Sequence, residues 1–164
     1  MHVRIATAED YSSIEGLLRE LNALHSEIEP ELIRRVEIYL GNDQYLQILK
    51  DEKQEILLLE DAGTVIGCAW IAERMHEGGP AIELPVAFIY EICIKESCRR
   101  EGFGRTLIRA IENWALDRKL GILEFNVWSR NQAALQFYEE LGFRYVRHEM
   151  SKRLAQKNAD PEPT

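Results

Sequence analysis

Two places in the 164-residue chain combine residue types that do chemistry. In "CRREGFGRTLIRAIENWALD", residues 98–117, Gly102 and Gly104 stand one residue apart behind Arg99 and Arg100 and lead directly into a helical pattern. Glycines at a strand-to-helix junction let peptide N–H groups face a common point, and a helix N-terminus adds about half a positive charge there. Such a junction suits a phosphate, and Arg99, Arg100 and Arg105 strengthen the field; a tight turn without a ligand is the other explanation of the spacing. The dinucleotide pattern GxGxxG does not fit, since Arg105, Thr106 and Leu107 follow Gly104, and no Walker sequence is present. The second place is Glu91, which interrupts the otherwise apolar run "VAFIYEICIKE", residues 86–96. A carboxyl in a low-dielectric setting has its pKa raised toward the range in which it takes a proton from an ammonium. The alternatives are an anchor for a cationic substrate and a solvated or paired structural charge.

The elements that must position these residues are legible in the periodicity. Residues 2–6 alternate as a strand, "TAED" offers a capping box, and Ile14, Leu17, Leu18, Leu21 and Leu24 fall on one helical face. A second helix is predicted in "ELIRRVEIYL" after Pro30, ended by Gly41-Asn42-Asp43, with residues 44–50 left ambiguous. "EILLLED" and "TVIGCAWIAE", separated by Ala62-Gly63, have hairpin spacing. The stretch 75–85, rich in Gly and Pro, is expected to be a mobile loop before the strand 86–96. The helix of the opening stretch buries Leu107, Ile108, Ile111, Trp114 and Ala115, carries Arg118 and Lys119 in its last turn and stops at Gly121. "ILEFNVW" is a strand, "NQAALQFYEEL" a short helix closed by Gly142, and "FRYVRHEMSKRL" one strand or two. The order predicts a single α/β domain over 1–154, a mixed sheet with helices on its faces, and a disordered polar tail over 155–164.

Composition narrows the function. With 28 acidic against 20 basic residues the chain is no general nucleic-acid binder, because phosphate neutralisation needs the opposite surplus. The charge is uneven: residues 1–96 carry 8 basic and 19 acidic side chains, residues 97–164 carry 12 and 9. This would suit a cationic ligand on one side and an anionic one on the other. Cys68, Cys93 and Cys98 form no CxxC pair, and no histidines stand at metal-ligand spacing, so neither a disulfide framework nor a metal site is expected. Without a signal peptide or an apolar run of ~20 residues, the expected location is the cytoplasm, with no membrane partner.

At this point two motifs resemble a known family. Arg99-Arg100-Glu101-Gly102-Phe103-Gly104 is similar to the R/Q-x-x-G-x-G/A signature of the GNAT superfamily, N-acyltransferases that use acetyl-coenzyme A. "NQAALQFYEELGF", residues 131–143, is similar to the family's N-x-x-A-x-x-F-Y-x-x-x-G-F segment at every marked position. Cys98, where an aromatic is common, and Glu101, inside the phosphate turn, depart from the pattern. The resemblance implies a mostly antiparallel mixed sheet of six to seven strands, splayed at a cofactor cleft and flanked by about four helices. The strands 86–96 and 122–128 would form the lips of that cleft.

The resemblance also implies roles. The pantetheine of acetyl-coenzyme A would bond the strand backbone at Ile92, Cys93 and Ile94, chiefly Ile92 and Ile94, and the diphosphate would lie on the N–H groups of residues 100–105, so that Arg99, Arg100, Glu101, Gly102, Phe103, Gly104, Arg105 and Thr106 form its site, with Asn131 and Tyr138 beside it. Tyr138 is implied as general acid to the sulfur, a role a phenol can fill, Glu91 as base or substrate anchor, and the Ile92 amide as oxyanion donor. His25 and Tyr90 are candidates on the acceptor side. The expected reaction is direct acetyl transfer to a primary amine of a small cationic molecule or a peptide. The alternatives are a non-catalytic coenzyme A sensor and an enzyme for longer acyl chains. A homodimer is compatible with these expectations.

Overall fold

A computed structural model describes residues 1–76 and 83–154. Most of the predicted glycine-rich loop and the whole predicted tail lie outside the described residues. The elements in chain order are β1 (His2–Ile5), α1 (Tyr11–Ile28), α2 (Asn42–Ile48), β2 (Gln54–Asp61), β3 (Thr64–Met75), β4 (Pro85–Ile94), α3 (Phe103–Asp117), β5 (Leu123–Phe125) and α4 (Gln132–Glu140). The strands form one sheet in sequence order, antiparallel from β1 to β4 and parallel between β4 and β5. The β2–β3 hairpin closes on Ala62 and Gly63, both with positive φ, as a two-residue turn matched to the twist of the strands requires.

Each face of the sheet buries its own core. On one face Leu107, Ile108, Ile111 and Trp114 of α3 pack on Leu57, Leu59, Ile71, Ala87 and Ile89. On the other, Ile14, Leu18 and Leu21 of α1 with Tyr45 and Ile48 of α2 cover Ile56, Leu58, Cys68 and Cys93. The helical stripes and the alternation of the strands predicted this two-sided burial.

Three expectations are corrected. The sheet has five strands among the described residues, not six to seven, because residues 143–154 form none. The three-residue β5 offers too short an edge to template a further strand, Tyr145, Val146 and Met150 stay exposed, and Arg153 is drawn instead to Glu31 at 3.3 Å. The helix predicted for "ELIRRVEIYL" is absent. There α1 satisfies the backbone from outside: Asn22 accepts from the Val36 amide at 2.9 Å and donates to the Arg34 carbonyl at 3.2 Å, while the Glu15 carboxylate accepts from the Tyr39 and Leu40 amides, each at 2.9 Å. Gly41, expected to end that helix, instead caps the start of α2. Finally, α3 stops at Asp117, so Arg118 and Lys119 lie beyond its last turn, where Arg118 stacks on Trp114 and pairs with Glu55 at 2.6 Å.

Candidate active site

The site begins where two strands part. β5 pairs with β4 only over Ala87–Leu123, Phe88–Glu124 and Ile89–Phe125, whereas β4 continues to Ile94. Just past the last pair β4 carries a bulge: Trp70 faces Glu91 and Ile71 faces Ile89, leaving Tyr90 without a partner on β3. An extra residue flips every later side chain to the other face. Ala87 and Ile89 therefore face α3, as do Ile92 and Ile94 beyond the bulge, while Glu91 is turned with Cys93 toward α1. Without the bulge, Glu91 would point into the α3 core.

The bulge also sets the free edge. Lys95 donates to the Ile66 carbonyl at 2.8 Å, and antiparallel alternation then directs the peptide groups of Ile92 and Ile94 away from β3 into the splay. The Ile94 carbonyl accepts from Arg99 Nε at 3.0 Å, and the same guanidinium meets Glu20 of α1 at 3.1 Å. The Arg99 side chain is thus a brace between β4 and α1. The remaining peptide groups of Ile92 and the Ile94 amide point into the splay.

At the foot of the splay the chain turns into α3. Arg100 (φ 68°) and Gly102 (φ 84°) both take the left-handed conformation, which costs a glycine little. The amides of Gly102, Phe103 and Gly104 have no intramolecular acceptor among the described residues, so the first turn of an amphipathic 15-residue helix presents N–H groups together with its dipole. Arg100, Glu101 and Arg105 are exposed around it, Thr106 is half-buried, and Glu101 makes no ion pair among the described residues. Gly104 has a different reason to be glycine: a Cβ there would lie 3.1 Å from the Phe137 ring. Here α3 comes close to Phe137 of α4, and an added methyl would press that ring aside by a few tenths of an ångström.

α4 supplies the opposite lip. Asn131 caps it by accepting from the Ala134 amide at 3.2 Å, the bland role foreseen for it, and Tyr138 stands among Phe125, Phe137 and Phe143 with ring centroids 4.4, 5.2 and 5.7 Å away. Burial pushes the Tyr138 phenol up to about 12, and the charges of Glu91 and Cys93 add to the rise. It therefore holds its proton at neutral pH. No group among the described residues hydrogen-bonds its hydroxyl.

Burial raises the Glu91 pKa as well, and a hydrogen bond from the Tyr39 hydroxyl partly opposes the rise. Tyr39 is the site residue that sequence reasoning missed. No local pattern marks it: Glu15 and the buried Asn22 of α1, far upstream, are the polar groups that the segment 30–41 uses as backbone partners. Tyr90, 38% exposed, joins a platform with Trp70 and Phe88, its ring 4.6 and 5.2 Å from theirs. Arg74 lies 4.5 Å over Phe88 and 5.6 Å over Tyr90. His25, half-buried in the last turn of α1, is kept toward the neutral form by burial, and no hydrogen bond joins it to Glu91, Tyr39 or Tyr138. Cys93 is buried on the α1 face with its sulfur 3.6 Å from that of Cys68, so only its backbone lies at the strand. No helix among the described residues is long and apolar enough to cross a membrane.

Known proteins share this fold. The model of the acetyltransferase (GNAT) family matches residues 18–143. An uncharacterised N-acetyltransferase of Bacillus subtilis, YycN, is 33% identical over 91 residues, which is 55% of this chain and 54% of that protein. The chain thus spans about half the length of this curated relative. A mutant of the BH1408 protein from Bacillus halodurans superposes with a TM-score of 0.88 at 24% identity, over 94% of this chain and all of the other. The aminoglycoside N-acetyltransferase AAC(6')-Iy, solved in complex with CoA, superposes at 0.71 and 17% identity, again over 94% of this chain and all of the other. At these identities the structural likeness establishes the fold.

Proposed function

The chain belongs to the acetyltransferase (GNAT) family, and on that premise we propose that it transfers an acetyl group from acetyl-coenzyme A to a primary amine of a small cationic molecule or a peptide, in one ternary complex. Acetyl-coenzyme A supplies an activated acyl carbon and a thiolate leaving group. Its diphosphate suits the amides of Gly102, Phe103 and Gly104, which have no acceptor of their own, with Arg100 and Arg105 adding charge. Its pantetheine amides suit the open edge at Ile92 and Ile94, where an extended chain adds as a strand.

The chain's own groups divide the work. Glu91 accepts a proton from the acceptor ammonium, directly or through a water, so that a neutral amine can attack. The amide of Ile92 stabilises the oxyanion, the Tyr138 hydroxyl donates its proton to the sulfur that leaves, and the proton that the attacking nitrogen sheds as the amide forms passes through water to restore the phenol. The observation that carries this assignment is the placing of two groups at the splay: Glu91, turned toward α1 just past the last β4–β5 pair, and Tyr138, packed on Phe125 of β5 with no hydrogen-bond partner for its hydroxyl among the described residues; burial raises the pKa of both. A cationic acceptor is favoured by the acidic excess of residues 1–96, which include α1 and the segment after it. The acceptor of AAC(6')-Iy, an aminoglycoside by its name, is an amine of this class.

The test is thiol release from acetyl-coenzyme A across a panel of polyamines, aminoglycosides and lysine peptides. Tyr138→Phe should lower kcat about 100-fold with little change in acetyl-coenzyme A affinity. An unchanged rate with the best amine would remove Tyr138 as the acid.

A further inference from the structure

Glu91 is not held by its own strand. Its oxygen Oε1 accepts a hydrogen bond from the hydroxyl of Tyr39, a residue 52 positions away in a segment without helix or strand. Such a segment would ordinarily be a poor support for a catalytic group, but here it is clamped. The carboxylate of Glu15 takes both adjacent amides, Tyr39 N–H on one oxygen and Leu40 N–H on the other, each at 2.9 Å. The Tyr11 hydroxyl donates to the Leu40 carbonyl at 3.0 Å. Leu40 is 1% exposed and anchors the same peptide in the α1 core. A rigid path therefore runs from α1 through Glu15 to the 39–40 peptide and on to the Glu91 carboxylate.

We propose that Tyr39, fixed by the Glu15 clamp, is the positioning residue for Glu91: it locks one carboxylate oxygen and leaves the other free for the acceptor amine. The inference rests on the proposed function, which gives Glu91 its role. Tyr39 and Glu15 lie outside both motifs. No hydrogen bond or ion pair to Oε2 is made by any described residue, so a single donor fixes the rotamer without using up the group. Among the described residues, the ionisable groups near Glu91 are Tyr39 from the segment before α2, Tyr138 from α4 and Cys68 from β3, with Cys93 two positions along β4 on the same face. None is cationic. A phenol thus supports the carboxylate where an arginine or lysine would hold it permanently ionised and paired. Burial, with the Glu91 contact adding to it, keeps the Tyr39 phenol protonated and hence a donor.

The test uses the full chain and two readouts. The Glu91 titration midpoint is followed by carboxyl-detected NMR without substrates, and kcat/KM for the best amine is followed against pH. Losing a hydrogen bond to the ionised form moves both upward. For Tyr39→Phe a rise of about one pH unit is expected, a roughly tenfold lower kcat/KM on the acid limb, with KM for acetyl-coenzyme A unchanged. Glu15→Gln, which loosens the clamp but keeps the phenol, should move both in the same direction by about a third as much on a logarithmic scale. Should Tyr39→Phe fail to fold, the Glu15→Gln comparison decides. A midpoint and an acid limb that superpose on those of wild type in folded variants overturn the proposal. Absence of acetylation by the wild type over the whole panel would instead sink the proposed function, and the NMR midpoint would still report whether Tyr39 holds Glu91.

Discussion

Asp10 and Glu91 are both sheltered carboxylates on the α1 side of the molecule, and they are treated in opposite ways. At the β1 edge, Arg4 grips both oxygens of Asp10 at 2.7 Å, the Thr7 amide and hydroxyl add bonds at 2.8 and 3.0 Å, and the third nitrogen of Arg4 reaches Glu60 at 2.9 Å. The Arg4 guanidinium holds the Asp10 carboxyl well below the usual range. At the β4 edge Glu91 receives one phenol and no cation, and burial leaves its pKa raised. Saturation makes a carboxylate a structural rivet. Partial satisfaction leaves a carboxylate whose protonation can change, which is what proton transfer requires.

The difference can be broken most sharply at Glu91. Glu91→Gln keeps the shape and removes the base, so kcat/KM in the thiol-release assay should fall about 100- to 1,000-fold. The same variant should melt no earlier than wild type at pH 7. A folded state that raises a carboxyl pKa is penalised as pH climbs through the unfolded value and the group ionises, and glutamine escapes that penalty. A variant both inactive and clearly destabilised would make Glu91 another rivet.

Asp10→Asn is the reciprocal change. Removing the charge that Arg4 grips should cost roughly 2 kcal/mol in urea denaturation at pH 7, less than a fully buried pair because Arg4 is partly exposed. Turnover at saturating substrate should stay unchanged. The sign with pH follows from the depressed pKa: the native state favours the ionised form, so the stabilisation is present above about pH 4, the unfolded value, and is lost on acidification. The deficit of Asp10→Asn should therefore shrink from pH 7 to pH 3. A constant deficit would mean that the hydrogen bonds, not the charge, carry the effect.

The closed end of the sheet was more legible in the sequence than the open one. The "TAED" cap, the hairpin at Ala62-Gly63 and the apolar stripe of α1 are local patterns with local causes, and all three form. The turn into α3 and the Asn131 cap were equally readable, because glycine conformation and capping are decided within a few residues. Tyr39 was not legible. Its segment has helical spacing of apolar residues, yet Glu15 and Asn22, some 14 to 25 positions upstream, satisfy its amides in place of a helix, and no local pattern records that competition. The bulge at Tyr90 left only a faint mark, the adjacent Tyr90-Glu91 in an alternating strand. The missing strand after Gly142 fails for a related reason, since pairing depends on the length of a partner, β5, fixed elsewhere.

The smallest expected effects separate the two glycines of the opening motif, which look equivalent in sequence. Gly102 has φ 84° and open space where a Cβ would go, so Gly102→Ala acts through backbone strain in the turn, costs about 1 kcal/mol and should raise KM for acetyl-coenzyme A a few-fold. Gly104 has helical backbone, and alanine would favour the helix by up to about 1 kcal/mol, but its methyl would press on Phe137 at 3.1 Å. That ring sits beside Tyr138, centroids 5.2 Å apart. Gly104→Ala should therefore leave thermal stability and acetyl-coenzyme A affinity near wild type while lowering kcat two- to fivefold, the scale of a small misplacement of the acid. If Gly104→Ala instead weakened cofactor binding as Gly102→Ala does, both glycines would serve the diphosphate turn alone, and the coupling from that turn through Phe137 to the Tyr138 hydroxyl would be lost.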